Sequence, residues 1–278
     1  MSAVVPVPLT VAGTAVHCAQ AGPADAREAV LFVHGNPGTA DDWTALAAAL
    51  GDHGRAVALD LPDFGRTDAP AGFPHTVEAY AGFLDEARRA LGIDRVHLVL
   101  HDFGGPFGLA WARDHVADLA SVTLIDTGIL PGYRWHALAR VWRTPVLGEL
   151  FQALTTRRGF RAAIGRREPR GLPPAFVERM AAHYDRRTKR AVLRLYRATD
   201  VPDVPPEELA ALAALDIPAL VLWGAGDRYL PVAYAERQRA AFPSAEVHVL
   251  ADSGHWPHGD APAAVEQRMV AFLGPRLK

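Results

Sequence analysis

The first candidate for chemistry is an aspartate that lies between an apolar run and two glycines. The apolar run 96–100 is followed by His-Asp-Phe-Gly-Gly at residues 101–105. This order predicts a strand, a sharp turn and a helix. It is typical of a nucleophile elbow, in which the tip residue reacts and small residues let the helix pack closely on the strand. The tip residue is Asp102, so a carboxylate is the predicted nucleophile. The alternative is that Asp102 only caps the helix that follows.

A serine nucleophile is disfavoured by the context of every serine in the chain. None of the four serines lies in a Gly-x-Ser-x-Gly setting: Ser2, Ser121, Ser244 and Ser253. A serine esterase would therefore have no nucleophile, which leaves the carboxylate of Asp102.

A second glycine-rich turn follows the apolar run 29–33 and reads His-Gly-Asn-Pro-Gly at residues 34–38. The NH groups of Asn36 and Phe103 are predicted to form an oxyanion hole beside the elbow. His34 is a candidate substrate contact. Glycine, asparagine and proline are also frequent in ordinary turns, so the position of this motif at a strand end carries the prediction.

Two later strand ends supply an acid and a base. Asp227 follows the apolar run 219–223 and a Gly-Ala-Gly turn, and His255 follows the run 247–250. In the chain order nucleophile, acid, histidine, His255 would be the general base and Asp227 would orient it. Asp126 is an alternative acid because it also ends a predicted strand. Asp227 is favoured because the glycines before it free its side chain to reach across.

Alternating strands and helices must position these strand ends. Short apolar and β-branched runs predict strands at 14–20, 29–33, 56–61, 96–100, 122–126, 219–223 and 247–250. Alanine-rich stretches predict helices at 41–50, 77–91, 107–117, 232–241 and 261–273. This pattern indicates an α/β fold with a mostly parallel sheet flanked by helices, in which ligands bind at the carboxyl ends of the strands.

The alternation breaks between residues 131 and 214, where helical spacing replaces the strand pattern. Apolar residues recur there at helical spacing, among them Leu138, Val141, Trp142, Val192, Leu193 and Tyr196. We predict a helical cap at 131–214, inserted into a core formed by 1–130 and 215–278. Arginines crowd this segment, which indicates either a solvated helical face or an entrance that favours anionic substrates.

Composition limits the class of protein. The 278 residues, 50% of them hydrophobic, are enough for one large core with a lid. Cys18 is the only cysteine, which excludes an internal disulfide and a cysteine-rich zinc site. The net charge of −2 gives no reason to expect a nucleic acid as partner.

The expected environment follows from what the sequence lacks. The amino terminus has no signal-peptide pattern, and no apolar run reaches the length of a membrane span. We therefore expect a cytoplasmic protein with no membrane partner. We expect a small apolar substrate, and no metal or organic cofactor is implied.

With these residues in place, the whole chain resembles the α/β-hydrolase superfamily. The segment 101–106, His-Asp-Phe-Gly-Gly-Pro, resembles the aspartate elbow of epoxide hydrolases and haloalkane dehalogenases. The resemblance implies that Asp102 displaces a leaving group at carbon and becomes an alkyl ester, which water activated by His255 then hydrolyses. Leu100 departs from the Gly-x-Asp-x-Gly spacing and from the glycine common in epoxide hydrolases.

Two features resemble epoxide hydrolases. Residues 195–198, Leu-Tyr-Arg-Ala, are similar to the lid segment that carries their ring-opening tyrosine, and residues 254–256, Gly-His-Trp, are similar to their histidine motif. Tyr196 would then supply the acid that an epoxide alkoxide needs. Tyr133 or Tyr184 would be the second tyrosine. Tyr133 and Trp256 are also candidate substrate contacts.

Other features resemble haloalkane dehalogenases, which hold halide with neutral NH donors. Asn36 stands where many of them use a side-chain amide. Phe103 stands where they use a tryptophan, so Trp135 or Trp142 from the cap would have to donate instead. Trp135 is accordingly a candidate substrate contact. A fluoroacetate dehalogenase is disfavoured because Phe103 and Pro106 offer no arginine beside the nucleophile.

The resulting hypothesis is a hydrolase with a covalent ester on Asp102, with epoxide hydrolysis ranked first and haloalkane dehalogenation second. Another carboxylate-nucleophile reaction, or a protein that only binds a small molecule on the same fold, ranks third. A pocket that only binds has no need for both an acid and a base, so Asp102, Asp227 and His255 together argue against that reading.

Overall fold

The computed structural model describes residues 2–165, 168–200 and 205–277, and its central feature is an eight-stranded sheet. The strand order is β1-β4-β6-β5-β7-β8-β9-β10, while β2 and β3 form a separate hairpin. The strands are β1 (Val5–Pro6), β2 (Leu9–Val11), β3 (Thr14–Val16), β4 (Cys18–Ala21), β5 (Glu28–Val33), β6 (Arg55–Leu59), β7 (Arg95–His101), β8 (Leu119–Ile125), β9 (Ala219–Gly224) and β10 (Glu246–Leu250).

The sheet is mostly parallel. Strand β4 pairs antiparallel with both β1 and β6, and every pair from β6 through β5, β7, β8 and β9 to β10 is parallel. The carboxyl ends of β5, β7, β8, β9 and β10 therefore lie along one edge, which is where a parallel sheet assembles a site.

The central strands form because their residues are apolar on both faces. All residues of β6, β8 and β9 are buried, as are all but the first residue of β5 and of β7. A strand covered on both sides buries every side chain, so it reads as a continuous apolar run rather than an alternating one.

Helices cover the two faces of the sheet. One face packs a cluster that includes Tyr80 and Phe107, whose rings stack with centroids 4.3 Å apart. The other face packs Trp43 and Met269. The helices of the core are α1 (Thr44–Leu50), α2 (Val77–Ala90), α3 (Gly104–Asp114), α10 (Ala233–Arg237), α11 (Pro257–Asp260) and α12 (Pro262–Leu273).

The described residues between β8 and β9 contain six helices, and we call this segment the cap. They are α4 (Ala137–Arg143), α5 (Leu147–Leu154), α6 (Arg157–Gly165), α7 (Pro174–His183), α8 (Arg186–Ala198) and α9 (Pro206–Ala214). The predicted change from alternating elements to helices alone is thus seen in the described part of this segment. The domain boundaries at residues 131 and 214 stay predictions.

The structure corrects several predicted elements. The strand expected at 14–20 is two strands, β3 and β4, separated at His17. The sequence pattern did not predict β1, an edge strand of the sheet, or β2, which pairs with β3 in the hairpin. The helices expected at 41–50 and 232–241 are divided, since 3₁₀ turns occupy Ala40–Trp43 and Gln238–Ala240. The strand expected at 247–250 is not buried on both faces, because β10 is an edge strand and Val249 is exposed.

None of the helices within 2–165, 168–200 and 205–277 combines the length and apolar character required to span a membrane.

Candidate active site

Asp102 lies at the tip of a sharp turn between β7 and α3. Its φ of 49° is in the left-handed region, which is strained for a residue with a side chain. The turn has no room for larger neighbours: a methyl group at Gly104 would collide with the carbonyl oxygen of Val33, and one at Gly35 would collide with the Asp102 carboxylate. This is the predicted elbow geometry, and it projects the carboxylate of Asp102 away from the sheet.

His255 lies between two carboxylates. Its Nε2 is 3.4 Å from Oδ2 of Asp102, and its Nδ1 is 2.7 Å from Oδ2 of Asp227. The other oxygen of Asp227 accepts the backbone NH groups of Tyr229, at 2.7 Å, and Leu230, at 3.0 Å. These bonds orient the acid, which in turn fixes the ring of His255 with Nε2 towards Asp102.

Burial and charge set the protonation of these three groups. Burial opposes the charge on His255, but the negative charges of Asp227 and Asp102 outweigh it and raise its pKa well above the ordinary value. Burial likewise opposes ionisation of Asp102, yet the hydrogen bond and charge of His255 lower its pKa to about 2. The free site is therefore an imidazolium held between two carboxylates.

Asp126, the alternative acid, is also buried and contacts Asp227. One of its oxygens, Oδ1, accepts the NH of Gly224 at 3.0 Å, and the other, Oδ2, has no donor among the described residues. Burial, and after it the charge of Asp227, raise the pKa of Asp126 well above the ordinary value. Two adjacent buried carboxyl groups do not both ionise, so Asp126 is the neutral one and its proton is available to Asp227. The geometry thus gives Asp227, and not Asp126, the contact with His255.

The loop that carries His255 is held from two sides. From the sheet, Nε2 of His101 donates to the carbonyl oxygen of His255 at 2.7 Å, and burial lowers the pKa of His101 to about 4. From the cap, the buried carboxyl group of Glu168 packs against Gly254 in this loop, and burial raises the pKa of this carboxyl to about 7. A methyl group at Gly254 would collide with Glu168, so the glycine lets the cap approach this closely.

The backbone NH of Asn36 donates to Oδ1 of Asp102 at 2.7 Å. One predicted oxyanion-hole donor therefore reaches the predicted nucleophile, Asp102. The second, the NH of Phe103, follows Asp102 directly at the start of α3, and its role stays a prediction. The ring of Phe103 is buried against Trp135 and Tyr196.

A cavity of about 210 Å³ opens above Asp102 and His255. Besides Asp102 and His255, five residues that the sequence analysis named as candidates line it: Asn36, Trp142, Tyr184, Tyr196 and Trp256. Most of the remaining lining comes from the cap, where His136, Thr155 and Thr156 are polar and the larger share is apolar: Leu138, Phe151, Leu154, Phe160, Ala163 and Ile164. The cavity therefore suits a small apolar molecule held against the carboxylate of Asp102.

Several polar atoms of this lining have no partner. Within the described residues, neither the amide nitrogen nor the amide oxygen of Asn36 is hydrogen-bonded, and the same holds for Nε1 of Trp142 and of Trp256. Buried donors without partners are uncommon because they lose the hydrogen bonds that water would make. These atoms are consequently available to a ligand.

Other predicted residues lie elsewhere. His34 is bound at both ring nitrogens, since Nε2 accepts the NH of Leu61 at 3.0 Å and Nδ1 lies 2.9 Å from the carbonyl oxygen of Gly35. It is outside the cavity lining, as are Tyr133 and Trp135. Tyr133 donates to the carbonyl of Tyr229 at 3.3 Å. These three residues therefore pack near the site but do not face its cavity.

Of the other cap tyrosines, Tyr184 lines the cavity, but its hydroxyl is already bonded to Gln152 at 2.8 Å. Sequence reasoning did not select Tyr229 or His136, which also line the cavity. The ring of Tyr229 lies 4.9 Å from that of His255. The sequence could have indicated Tyr229, because it lies two residues after Asp227. His136 had none, because a single histidine in a cap loop gives no pattern.

Comparison with protein families agrees with this geometry. Residues 28–262 match the model of a family described as having the alpha/beta hydrolase fold. A relative from Xanthomonas campestris, a cis-3-alkyl-4-alkyloxetan-2-one decarboxylase, is 28% identical, over 94% of this chain and 93% of its own. Haloalkane dehalogenase 2 of Mycobacterium tuberculosis is 29% identical, over 88% of this chain and 87% of its own.

Solved structures resemble the chain over nearly all of its length. The haloalkane dehalogenase DatA from Agrobacterium tumefaciens has a TM-score of 0.82 at 22% identity, covering 98% of this chain and 97% of its own. An epoxide hydrolase of Vigna radiata has a TM-score of 0.79 at 19% identity, covering 98% of this chain and 99% of its own. At these identities the structures share the fold. Together with the family match over residues 28–262, they show that this chain is a hydrolase of the α/β-hydrolase family.

Proposed function

We propose that this protein hydrolyses small apolar epoxides to vicinal diols through an alkyl ester on Asp102. The observation that carries the proposal is the position of Tyr196. Its side chain is buried, it lines the same cavity as Asp102, and burial and the charge of Asp102 raise its pKa well above the ordinary value. A neutral phenol facing a carboxylate is the pairing that opens an epoxide, because the leaving oxygen stays on the substrate and needs a proton.

In the first step Oδ2 of Asp102 attacks an epoxide carbon, and the carbon–oxygen bond of the ring breaks. The phenolic proton of Tyr196 passes to the leaving oxygen, which gives a hydroxyalkyl ester. Oδ2 is the attacking atom because Oδ1 is held by the NH of Asn36. The resulting tyrosinate recovers a proton from the imidazolium of His255, directly or through solvent.

Ester formation prepares His255 for the second step. The ester removes the charge of Asp102, one of the two charges that keep His255 protonated in the free site. Its pKa falls accordingly, and the neutral ring can deprotonate water. Hydroxide attacks the ester carbonyl, and the new oxyanion forms on Oδ1, where the NH of Asn36 already points. Collapse expels the alkoxide, which takes the proton left on the ester carbon's new hydroxyl group, so the diol leaves and the carboxylate of Asp102 and the imidazolium of His255 are both restored.

Dehalogenation is the second candidate, and the unpartnered donors favour it. The amide nitrogen of Asn36 and Nε1 of Trp142 and Trp256 line the cavity without hydrogen bonds to the described residues. Neutral NH groups of this kind would stabilise a departing halide, which needs no proton. The same donors would suit the carboxylate released when a β-lactone opens, the substrate type in the name of the Xanthomonas relative.

The test compares two tyrosines that line one cavity. Tyr196→Phe should slow adduct formation with a terminal epoxide roughly 10- to 1000-fold, the range for losing one acid catalyst, and change substrate binding much less. Tyr184→Phe is the matched control, since its hydroxyl is bonded to Gln152. The assay is single-turnover mass spectrometry with an epoxide, a bromoalkane and a β-lactone.

The result separates the candidates. Two results together would overturn the epoxide proposal in favour of dehalogenation: Tyr196→Phe forms the adduct at the wild-type rate, and Asn36→Ala forms it more slowly with the bromoalkane. Turnover of the β-lactone alone would overturn both.

A further inference from the structure

Helix α5 of the cap presents its apolar side to solvent. Val146, which precedes the helix, and Leu147, Leu150, Phe151 and Leu154 are large hydrophobic residues with 38–78% of their surface exposed. Within the helix these positions follow helical spacing, so they form one face. The buried positions are Gly148 and Gln152, and Gln152 is hydrogen-bonded to Tyr184. The usual arrangement of a surface helix, apolar inside and polar outside, is therefore reversed.

The exposed face continues into the cavity. Phe151 and Leu154 line the space above Asp102 and have 38% and 71% of their surface exposed to solvent. Leu147 and Leu150 belong to the same helical face but not to the cavity lining. An apolar molecule entering past α5 would thus meet hydrophobic side chains from the surface to the nucleophile.

Positive charge surrounds this face. Residues 131–214 hold 16 of the 29 Lys and Arg but only 8 of the 31 Asp and Glu, so the cap segment carries +8 in a chain of net charge −2. Arg157, which is ion-paired with Glu178, and Arg158 begin the next helix, which is separated from α5 by two residues, and Lys189 donates to the carbonyl of Thr155. The one acidic residue of α5, Glu149, is paired with Arg197 at 2.6 Å. Exposed apolar side chains within a basic surface are the features of a helix that lies on an anionic membrane.

We propose that the exposed face of α5 docks this protein on the surface of an anionic lipid bilayer, with the mouth of the cavity towards the lipid. A second copy of the chain fits less well, because two α5 faces would bring the positively charged caps together and block both cavity mouths. A bilayer complements the charge and places the mouth against a phase in which apolar substrates concentrate. Such docking needs no spanning helix, and it departs from the expectation of no membrane partner.

The experiment measures vesicle binding without substrate, so its outcome is independent of the proposed reaction. The protein is sedimented with phosphatidylglycerol-containing vesicles and with pure phosphatidylcholine vesicles, at low salt and at 0.5 M salt. We expect binding to the anionic vesicles at low salt and a marked loss at high salt, where exposed charges are screened. Leu147→Gln with Leu150→Gln should lower the partition coefficient about 10-fold or more through lost apolar burial.

The control is Leu215→Gln, which changes an equally exposed leucine that follows α9. It should bind vesicles like the wild-type protein. The double variant should retain turnover of a dissolved substrate, since neither residue lines the cavity. Absence of binding to anionic vesicles would overturn the proposal, as would unchanged binding of the double variant. A wild-type dimer that the double variant dissociates in sedimentation velocity would assign the face to a second copy instead.

Discussion

Two buried carboxyl groups, Asp227 and Asp126, lie next to each other beside His255. Replacing each of them with asparagine tests which one carries the negative charge. The carboxylate of Asp227 is 2.7 Å from Nδ1 of His255. With charge centres roughly 4 Å apart and an effective dielectric of about 20, this charge stabilises imidazolium by about 4 kcal/mol. Asp227→Asn removes that stabilisation from the step in which His255 takes a proton from water. Ester hydrolysis should slow roughly 1000-fold.

Asp126→Asn should behave differently, because Asp126 is already neutral. In the wild-type protein the NH of Gly224 donates to Asp126 at 3.0 Å, and the amide oxygen of the variant can still accept this bond. The amide nitrogen of the variant can still donate to Asp227. We expect hydrolysis within about 3-fold of the wild-type rate, the scale of one altered neutral hydrogen bond.

The assay for both variants is rapid-quench mass spectrometry of the alkyl-enzyme. It resolves formation of the ester, which should be affected less, from its hydrolysis. Equal damage from the two variants, or greater damage from Asp126→Asn, would refute the assignment of the charge to Asp227. The proton would then have been placed on the wrong carboxyl group.

Further predictions concern the nucleophile, the base and the cap. Asp102→Ala should abolish turnover and leave the unfolding transition in place, and activity above a few per cent would contradict a carboxylate nucleophile. His255→Gln should still form the ester but not hydrolyse it, so the intact mass should show a stable adduct after substrate is added; an unmodified mass would speak against a covalent route. Glu168 is 7% exposed and its pKa is raised from 4.5 to about 7, so its contribution to stability is present below pH 4.5 and is lost as the pH rises towards 7. The free energy of unfolding of Glu168→Gln, relative to that of the wild-type protein, should therefore rise by at most about 3 kcal/mol between pH 4.5 and pH 8. Denaturant unfolding at several pH values measures this difference, and a difference that does not change with pH would count against the prediction.

The strand ends could be predicted from sequence because each follows from local rules. Residues 101–105 define a turn that only small neighbours permit, and a parallel sheet brings the ends of β5, β7, β9 and β10 to one edge whatever their separation in the chain. The sheet, the helices and the meeting of Asp102 with His255 were therefore accessible. The sequence favoured Asp227 over Asp126 because of the glycines before it, but only the distances within the assembled site show that Asp227 is the carboxylate in contact with His255.

The cap was the least predictable part. Helical spacing locates a helix and its apolar face but does not say whether that face is buried, and α5 shows the opposite of the usual orientation. Residue type also misled for His34, whose two nitrogens are bound by backbone groups that no sequence pattern reveals. Glu168 gave no signal at all, since its partner is a loop 87 residues later in the chain.

The contact of Glu168 with the loop of His255 has a consequence for exchanging caps among relatives. A cap is commonly regarded as the exchangeable part that selects the substrate, while the core supplies the reaction. Here Glu168 packs against Gly254, and Pro169 packs against Gly226 beside Asp227, so a transplanted cap would alter the support of the His255 loop. Consider a chimera in which α4 and α5 come from this protein but residues 168–170 are replaced by those of a relative. It should form the proposed covalent intermediate at the normal rate and hydrolyse it slowly. Modular design on this scaffold would have to treat residues 168–170 as part of the core.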